Sequence, residues 1–396
     1  MTERNQEILK LAAEYEPYII ECRRRVHTFA ELAMHENKTH AFILEEIKKL
    51  GLPYEEVPTT SIIAKLDTGR PGKVLALRAD IDALPLAESE ENLAGPRTCH
   101  SEQAETCHAC GHDAHTAMLL GAMQVLTRMK DELNGTVLFC FEEGEEPNSG
   151  IDALLAALEK YHVDLCWGIH VYAGLEENKM SIDPGPCMAG ATLIDVTFHG
   201  KSGHGSRPDL AASPIFCGAN FLNNLSVAFG QQIGAGKTVT MGITMFHGGE
   251  VSNLIPDKAR LQGSYRFFDR DEGLKALALT KKVAKDTADI HNCTAEFGPD
   301  LLAGPVVNEP ECSQVAQRVI EEIMPGTIVH CEPWFAGESY RLFLERYTGV
   351  FAFLGIKNEE AGYGASHHNN RFDLNEAVLK TGAVATVRYA MEWLGR

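Results

Sequence analysis

Within the eight residues His108-Ala109-Cys110-Gly111-His112-Asp113-Ala114-His115 stand four side chains of metal-binding type, three imidazoles and a thiol. Imidazole and thiolate are the usual ligands of zinc and its first-row neighbours, and a flanking carboxylate such as Asp113 can orient a ligating imidazole from behind. Ligands packed this densely in one stretch point to a site rather than to packing.

Three other stretches carry groups that could complete it. Arg78-Ala79-Asp80-Ile81-Asp82-Ala83-Leu84-Pro85 follows a β-rich run, and carboxylates at the C-terminal end of a strand suit the edge of an open α/β sheet where ligands gather. Glu142-Glu143-Gly144-Glu145-Glu146 puts four carboxylates behind an apolar strand, a crowding that a cation would relieve. Gly168-Ile169-His170 ends another apolar run, and Ser366-His367-His368-Asn369 offers paired imidazoles in a polar loop.

The elements that must position these groups are legible from periodicity. Apolar residues at helical spacing predict two helices between residues 5 and 50, with Gly51 and Pro53 as stop signals. Strands are expected at 61–66, 74–79, 136–141, 164–171 and 350–355, and helices at 116–129 and 375–394. Asp183-Pro184-Gly185-Pro186 reads as a linker, after which alternating strands and two helices suggest an inserted unit. The expected division is a catalytic α/β domain built from 1–185 and 301–396, interrupted by a smaller α/β lid domain at 186–300. With 396 residues, the chain exceeds what one core usually serves.

Composition narrows the function class. A formal net charge of -19 disfavours nucleic-acid and anionic-membrane partners. No apolar run approaches the ~18 residues that span a bilayer, and the first residues lack a signal-type apolar segment. The 11 cysteines are odd in number and scattered, as in a reducing, cytoplasmic setting rather than a disulfide framework. Cys99 and Cys107, with His100, cluster just before the metal stretch and could form a separate structural or redox-sensitive loop.

Taken together, the segments resemble the M20 metallopeptidases, in particular the amidohydrolase branch of hippurate hydrolases, N-acyl-amino-acid deacylases and auxin-conjugate hydrolases. The motifs at 78–85 and 108–115 carry the resemblance, supported by Gly168-Ile169-His170, Gly200-Lys201-Ser202-Gly203-His204-Gly205, and Asn253-Leu254-Ile255-Pro256 followed by Arg266. The resemblance implies a two-metal α/β fold with a lid that forms a homodimer interface. It implies Cys110, His112, Glu146, His170 and His368 as ligands of two divalent metal ions (Mn, Zn, Co or Ni), with Glu145 as general base. His368 is preferred to His367 because its spacing from Phe372 and Asn375-Glu376 matches the family's last ligand. His204 would stabilise the oxyanion, from its own or a neighbouring subunit, and Asn253 and Arg266 would bind the substrate carboxylate. Asp80, Asp82 and Asp113 would be carboxylates that either support the ligands or serve the structure, and His115 another orienting group.

The chain departs from the family pattern in places. Glu142-Glu143-Gly144 stands where Gln-Pro-Ala is usual, Glu338-Ser339-Tyr340 replaces Glu-Asp-Phe, and Asn370 and Ala30 replace prolines. The expected reaction is hydrolysis of the amide bond of an N-acyl amino acid by activated water. The alternatives are a dipeptidase of the same fold and a non-catalytic metal-binding relative.

Overall fold

A computed structural model describes residues 2–395. Contacts divide the chain into two units, the first comprising Met1–Gly185, Val307–Glu332 and Glu338–Arg396, the second Pro186–Val306 and Pro333–Gly337. The second unit runs past the residue 300 expected from sequence because Leu302 and Ala303 pair with Thr192 and Ala191, adding a short strand to its sheet. The turn Pro333–Gly337 also belongs to it, joined by the bridge between Met188 and Trp334.

The first unit is built on a seven-stranded sheet. Its strands are β1 (Tyr54–Val57), β2 (Ser61–Asp67), β3 (Val74–Asp80), β4 (Thr136–Glu142), β5 (Leu165–Glu176), β6 (Met180–Ser181) and the later strand Thr348–Lys357. The order is β1-β2-β4-β3-β5, then Thr348–Lys357, then β6. β4, β3, β5 and Thr348–Lys357 run parallel, with antiparallel strands at both edges. The central strands read as continuous apolar runs, such as Val137-Leu138-Phe139-Cys140-Phe141, because both faces of a parallel sheet are covered.

Helices α1 (Glu3–Phe29) and α3 (His112–Arg128) pack on one another and on the final helix Val378–Leu394, with α2 (Asn37–Lys49) packed on α1 and β2. α3 also lies against β3. It starts four residues earlier than the apolar run at 116 suggests, so His112 and Asp113 occupy its first turn. Successive helical residues are turned about 100° from one another. His112 and His115, three apart, therefore share a face toward the ends of β3 and β5, while Asp113 faces α1.

The second unit has a sheet of five strands, with Gly190–His199 paired to Lys258–Phe267 and the latter paired to Val239–Gly248. The helices Pro214–Gln232 and Arg270–Ile290 pack together over this sheet, enclosing Phe198, Phe221, Leu261 and Phe267. Among the described residues, no helix is long and apolar enough to cross a membrane.

The side of α3 that faces α1 carries a largely buried ion cluster. Arg23 Nε donates to Asp113 Oδ2 at 2.7 Å, and the same oxygen lies 2.8 Å from His27 Nδ1. His27 Nε2 is 2.9 Å from Glu88 Oε1. Burial alone would raise the Asp113 carboxyl, but Arg23 and His27 hold it far below the usual carboxylate range. Such a group contributes stability above its unfolded pKa, about 3.9, that is lost as the pH falls below that value. Asp113→Asn should therefore destabilise the protein at pH 7 by roughly 3 kcal/mol, since Arg23 would be left short of its buried partner. The gap between the melting curves of the two proteins should narrow below about pH 4; a gap that does not change with pH would contradict this account.

Candidate metal centre

The ends of the parallel strands, the start of α3 and two loops converge in the first unit. Asp80 closes β3 opposite Glu142, which closes β4. His170 lies in β5 beside Phe353 of the neighbouring parallel strand. Cys110 and His112 flank Gly111, which caps α3 with φ of 91°. A side chain at 111 would need this left-handed backbone and would strike the Val171 side chain, so glycine is required here. Glu145 and Glu146 follow the turn at Gly144, φ 60°, and His368 itself has φ of 61°.

Hydrogen bonds assign the three neighbouring histidines different roles. His112 Nδ1 lies 3.0 Å from Asp82 Oδ1, so its proton belongs on that nitrogen and Nε2 is left with a lone pair. That buried Nε2 has no hydrogen-bond partner among the described residues, and it faces Asp80 Oδ2 at 3.7 Å and Glu146 Oε1 at 3.9 Å. In His170, Nδ1 sits 2.6 Å from the Val171 carbonyl oxygen, which turns Nε2 toward Cys110 Sγ at 3.5 Å. His115 has both nitrogens in use, Nδ1 donating to Asp80 Oδ1 at 2.6 Å and Nε2 accepting the Val171 N–H at 2.9 Å. It orients Asp80 and the strand after His170, and offers no lone pair to a cation.

The paired histidines of the last loop separate in the same way. His367 is half-buried between Tyr172 and Phe372, and its Nε2 accepts the Ala173 N–H at 3.1 Å. His368 donates its backbone N–H to the Ala109 carbonyl at 2.9 Å and brings Nε2 to 3.4 Å from Glu146 Oε1.

The four carboxylates of 142–146 divide as well. Glu142 is buried on Arg78 Nε at 2.6 Å. Glu143 accepts the backbone N–H groups of Thr59 and Thr60 and the Thr60 hydroxyl, a structural role. Glu145 Oε1 accepts the Ser339 N–H at 2.9 Å. Glu146 turns toward His112 and His368, its own N–H donating to Asp82 Oδ2 at 3.1 Å. Asp82 thus holds one candidate ligand by its ring and another by its backbone.

Three potential ligand groups have donor atoms within 4.8 Å of one another: Cys110 with His112 and His170; Cys110 with Glu146 and His368; and His112 with Glu145 and Glu146. Asp80, His112 and His115 form a fourth such cluster, which His115 cannot serve because of its hydrogen bonds. The orphaned buried Nε2 of His112 and the mixture of thiol, imidazole and carboxylate fit divalent transition metals.

Electrostatics point the same way. Burial alone would lower His112, yet the Asp80 charge and the bond to Asp82 raise it well above the ordinary imidazole value. Burial and the neighbouring His115 and His367 push His170 well below it. Burial and the nearby Glu338 carry Glu145 well above the carboxylate range. Burial likewise raises Cys110, and lifts Glu142 to about 7 despite Arg78.

Of the residues singled out from sequence, Asp80, Asp82, Cys110, His112, His115, Glu145, Glu146, His170 and His368 meet in this centre. Asp113 does not. Of the two roles open to it, supporting a ligand or structural, it has the structural one, bonding Arg23 and His27 because its position on α3 turns it toward α1. His204, Asn253 and Arg266 lie in the second unit. His204 is exposed on a short strand paired with Leu254, Asn253 accepts the Gly205 N–H through its carbonyl, and Arg266 sits in Lys258–Phe267. Arg78, Glu338 and Ser339, which the sequence marked only as members of the 78–85 motif and of a departure near the site, also belong to the centre. The departures at 142–144 and 338–340 were the available signal.

The model of peptidase family M20/M25/M40 matches residues 76–392. The chain is 33% identical over 387 residues to thermostable carboxypeptidase 1 of Saccharolobus solfataricus, covering 96% of each. It is 32% identical over 308 residues to the N-acyl-L-amino acid amidohydrolase of Geobacillus stearothermophilus, covering 77% of this chain and 82% of that one. Among solved structures, the Bacillus subtilis YXEP protein, described as a dinuclear metal binding peptidase from the M20 family, superposes with a TM-score of 0.84 at 26% identity, covering 96% of this chain and 98% of its own.

The hydrogen-bond assignments can be tested by metal analysis of purified variants. His112→Ala and His170→Ala should each lower the bound metal per chain by about half or more, whereas His367→Asn and His115→Asn should leave it close to the parent value. Equal metal loss in all four would refute the division of roles.

Proposed function

The chain belongs to peptidase family M20/M25/M40 and is a hydrolase of its amidohydrolase kind; we propose that it cleaves the amide joining an acyl group to an amino acid with a free α-carboxylate. The observation that supports this most directly is the Glu145 carboxyl, buried beside three overlapping groups of metal-ligand atoms and fastened by one oxygen to the Ser339 N–H. A general base needs that location: close to where a water would be activated, fixed in direction and shielded from solvent.

In this reading Cys110, His112, Glu146, His170 and His368 hold two divalent metal ions, drawn from Mn, Zn, Co or Ni. Bound there, the ions would lower the pKa of a water and polarise the substrate carbonyl. Glu145 takes the proton of the attacking water and returns it to the departing amine, base first and acid second. Asp82 fixes His112 and Glu146, and His115 fixes Asp80. From the second unit, His204 stabilises the oxyanion, while Asn253 and Arg266 supply donors to the substrate carboxylate. Exposed apolar side chains there, among them Phe216, Val227 and Val251, suit a homodimer interface through that unit. No disulfide joins any of the 11 cysteines, which fits a cytoplasmic, reducing setting.

The peptidase reading rests on the similarity to a carboxypeptidase. An N-acyl amino acid and the C-terminal residue of a peptide share the same reacting amide and carboxylate. The two substrates differ on the acyl side, where a short peptide carries an ammonium group.

Activity on N-acetyl and N-benzoyl amino acids and on dipeptides, assayed with added Mn²⁺, Zn²⁺, Co²⁺ or Ni²⁺, separates the readings. We expect turnover of N-acyl amino acids to exceed that of the matching dipeptides; the reverse order would favour the peptidase. Glu145→Gln should reduce kcat by roughly 10²- to 10⁴-fold without changing metal content. Failure with every N-acyl substrate and every metal would rule out the proposal.

A further inference from the structure

We propose that Ser339 is a positioning residue that, together with Glu142 and Arg78, aims the carboxylate of Glu145. The inference rests on the assignment of Glu145 as general base and adds to it the structure that holds the base in line.

Ser339 is fully buried and has two separate jobs. Its backbone N–H donates to Glu145 Oε1 at 2.9 Å. Its hydroxyl lies 2.6 Å from Glu142 Oε1 and 2.9 Å from Arg78 Nη2. A guanidinium can only donate, so the hydroxyl oxygen accepts from Arg78, and its single proton goes to Glu142 Oε1 at 2.6 Å in preference to Glu338 Oε1 at 3.3 Å. This fixes both the rotamer and the polarity of the side chain.

The anchors are themselves immobile. Arg78 Nε binds Glu142 Oε2 at 2.6 Å, and the two residues come from adjacent parallel strands whose ends pair Asp80 with Glu142. On the other side, Glu338 Oε1 lies 3.1 Å from Arg78 Nη2 and accepts the Tyr340 N–H at 2.9 Å. The turn 338–340 is therefore pinned before and after Ser339, and the amide that holds Glu145 inherits its direction from the sheet. With Oε1 occupied by a neutral donor, Oε2 is the oxygen left to move the proton.

The side chains of Glu142 and Ser339 touch, and only one of the two can carry a charge.

The test uses the metal-loaded protein with its best N-acyl amino acid. Ser339→Ala should lower kcat by roughly ten- to a hundredfold while KM stays within about twofold and metal content is unchanged, because the misplaced group acts in the transition state. Glu142→Gln, which keeps shape and removes charge, should give the same kcat-selective loss. Ser339→Asp alone should be worse, since two carboxylates would then meet in a buried site. Glu142→Gln/Ser339→Asp should recover most of the kcat lost by Ser339→Asp.

An unchanged kcat in Ser339→Ala, or a double variant no better than Ser339→Asp, would overturn the proposal. If Ser339→Ala does not fold, the Glu142→Gln result and the rescue by the double variant decide alone. Glu145→Gln measured alongside keeps the two readings apart: a retained rate there defeats the base assignment, whereas its loss with unaffected Ser339 and Glu142 variants defeats only this inference.

Discussion

The buried guanidinium of Arg78 is shared by three carboxylates, Asp80 at 2.8 Å, Glu142 at 2.6 Å and Glu338 at 3.1 Å, and the centre is arranged around it. A charge removed from water is tolerated only when it is paired, and one cation here meets three anions from three chain segments. Around them lie Asp82, Glu145 and Glu146, so the acidic groups outnumber Arg78 by a wide margin. Burial and the nearby Glu338 raise Glu145, and the Asp80 charge and the bond to Asp82 raise His112 against its burial. An acidic pocket of this kind is a cation site by electrostatics as well as by donor type.

A second buried network does the mechanical work on the opposite side of α3. Arg23 reaches Asp113, and at longer range Asp373 and Glu376, while Arg97 approaches Glu88 and Asp373. These contacts join α1, the loop before the metal stretch and the segment after His368. They hold the His368 loop near the start of α3 without using any candidate ligand. The eight-residue cluster that stands out in the sequence is thus divided between two networks, one facing cations and one facing an arginine.

Much of the architecture could be read from the chain because the signals are local. The apolar runs at 74–79, 136–141 and 350–355 mark parallel strands, and carboxylates and histidines at strand ends mark the edge where ligands collect. What was not legible required geometry between distant residues. Whether Asp113 served His112 or α1 depended on the phase of a helix whose first turn contains polar residues and shows no apolar period. The short helix Ile151–Leu158 and edge strand β1 were missed because each is too brief for a periodic signal. Ser339 carries no sign of importance in its own type; its place is visible only once it is seen between Arg78, Glu142 and Glu145.

The same physics explains why neighbours with identical side chains do different things. Glu142 to Glu146 and His367 to His368 each change direction within one or two residues, and a left-handed backbone stands at or beside each change. Gly144 separates the two structural glutamates from the two that face the centre, and Gly111 lets Cys110 and His112 converge although one lies outside α3 and the other begins it. At His368 the left-handed residue is the candidate ligand itself. That conformation costs a non-glycine residue on the order of 1 kcal/mol and persists only where the surroundings enforce it. Here the enforcing contact is the hydrogen bond from the His368 N–H to the Ala109 carbonyl, one residue before Cys110. The left-handed residue therefore stands where the backbones of two segments far apart in sequence, each carrying a candidate ligand, are joined.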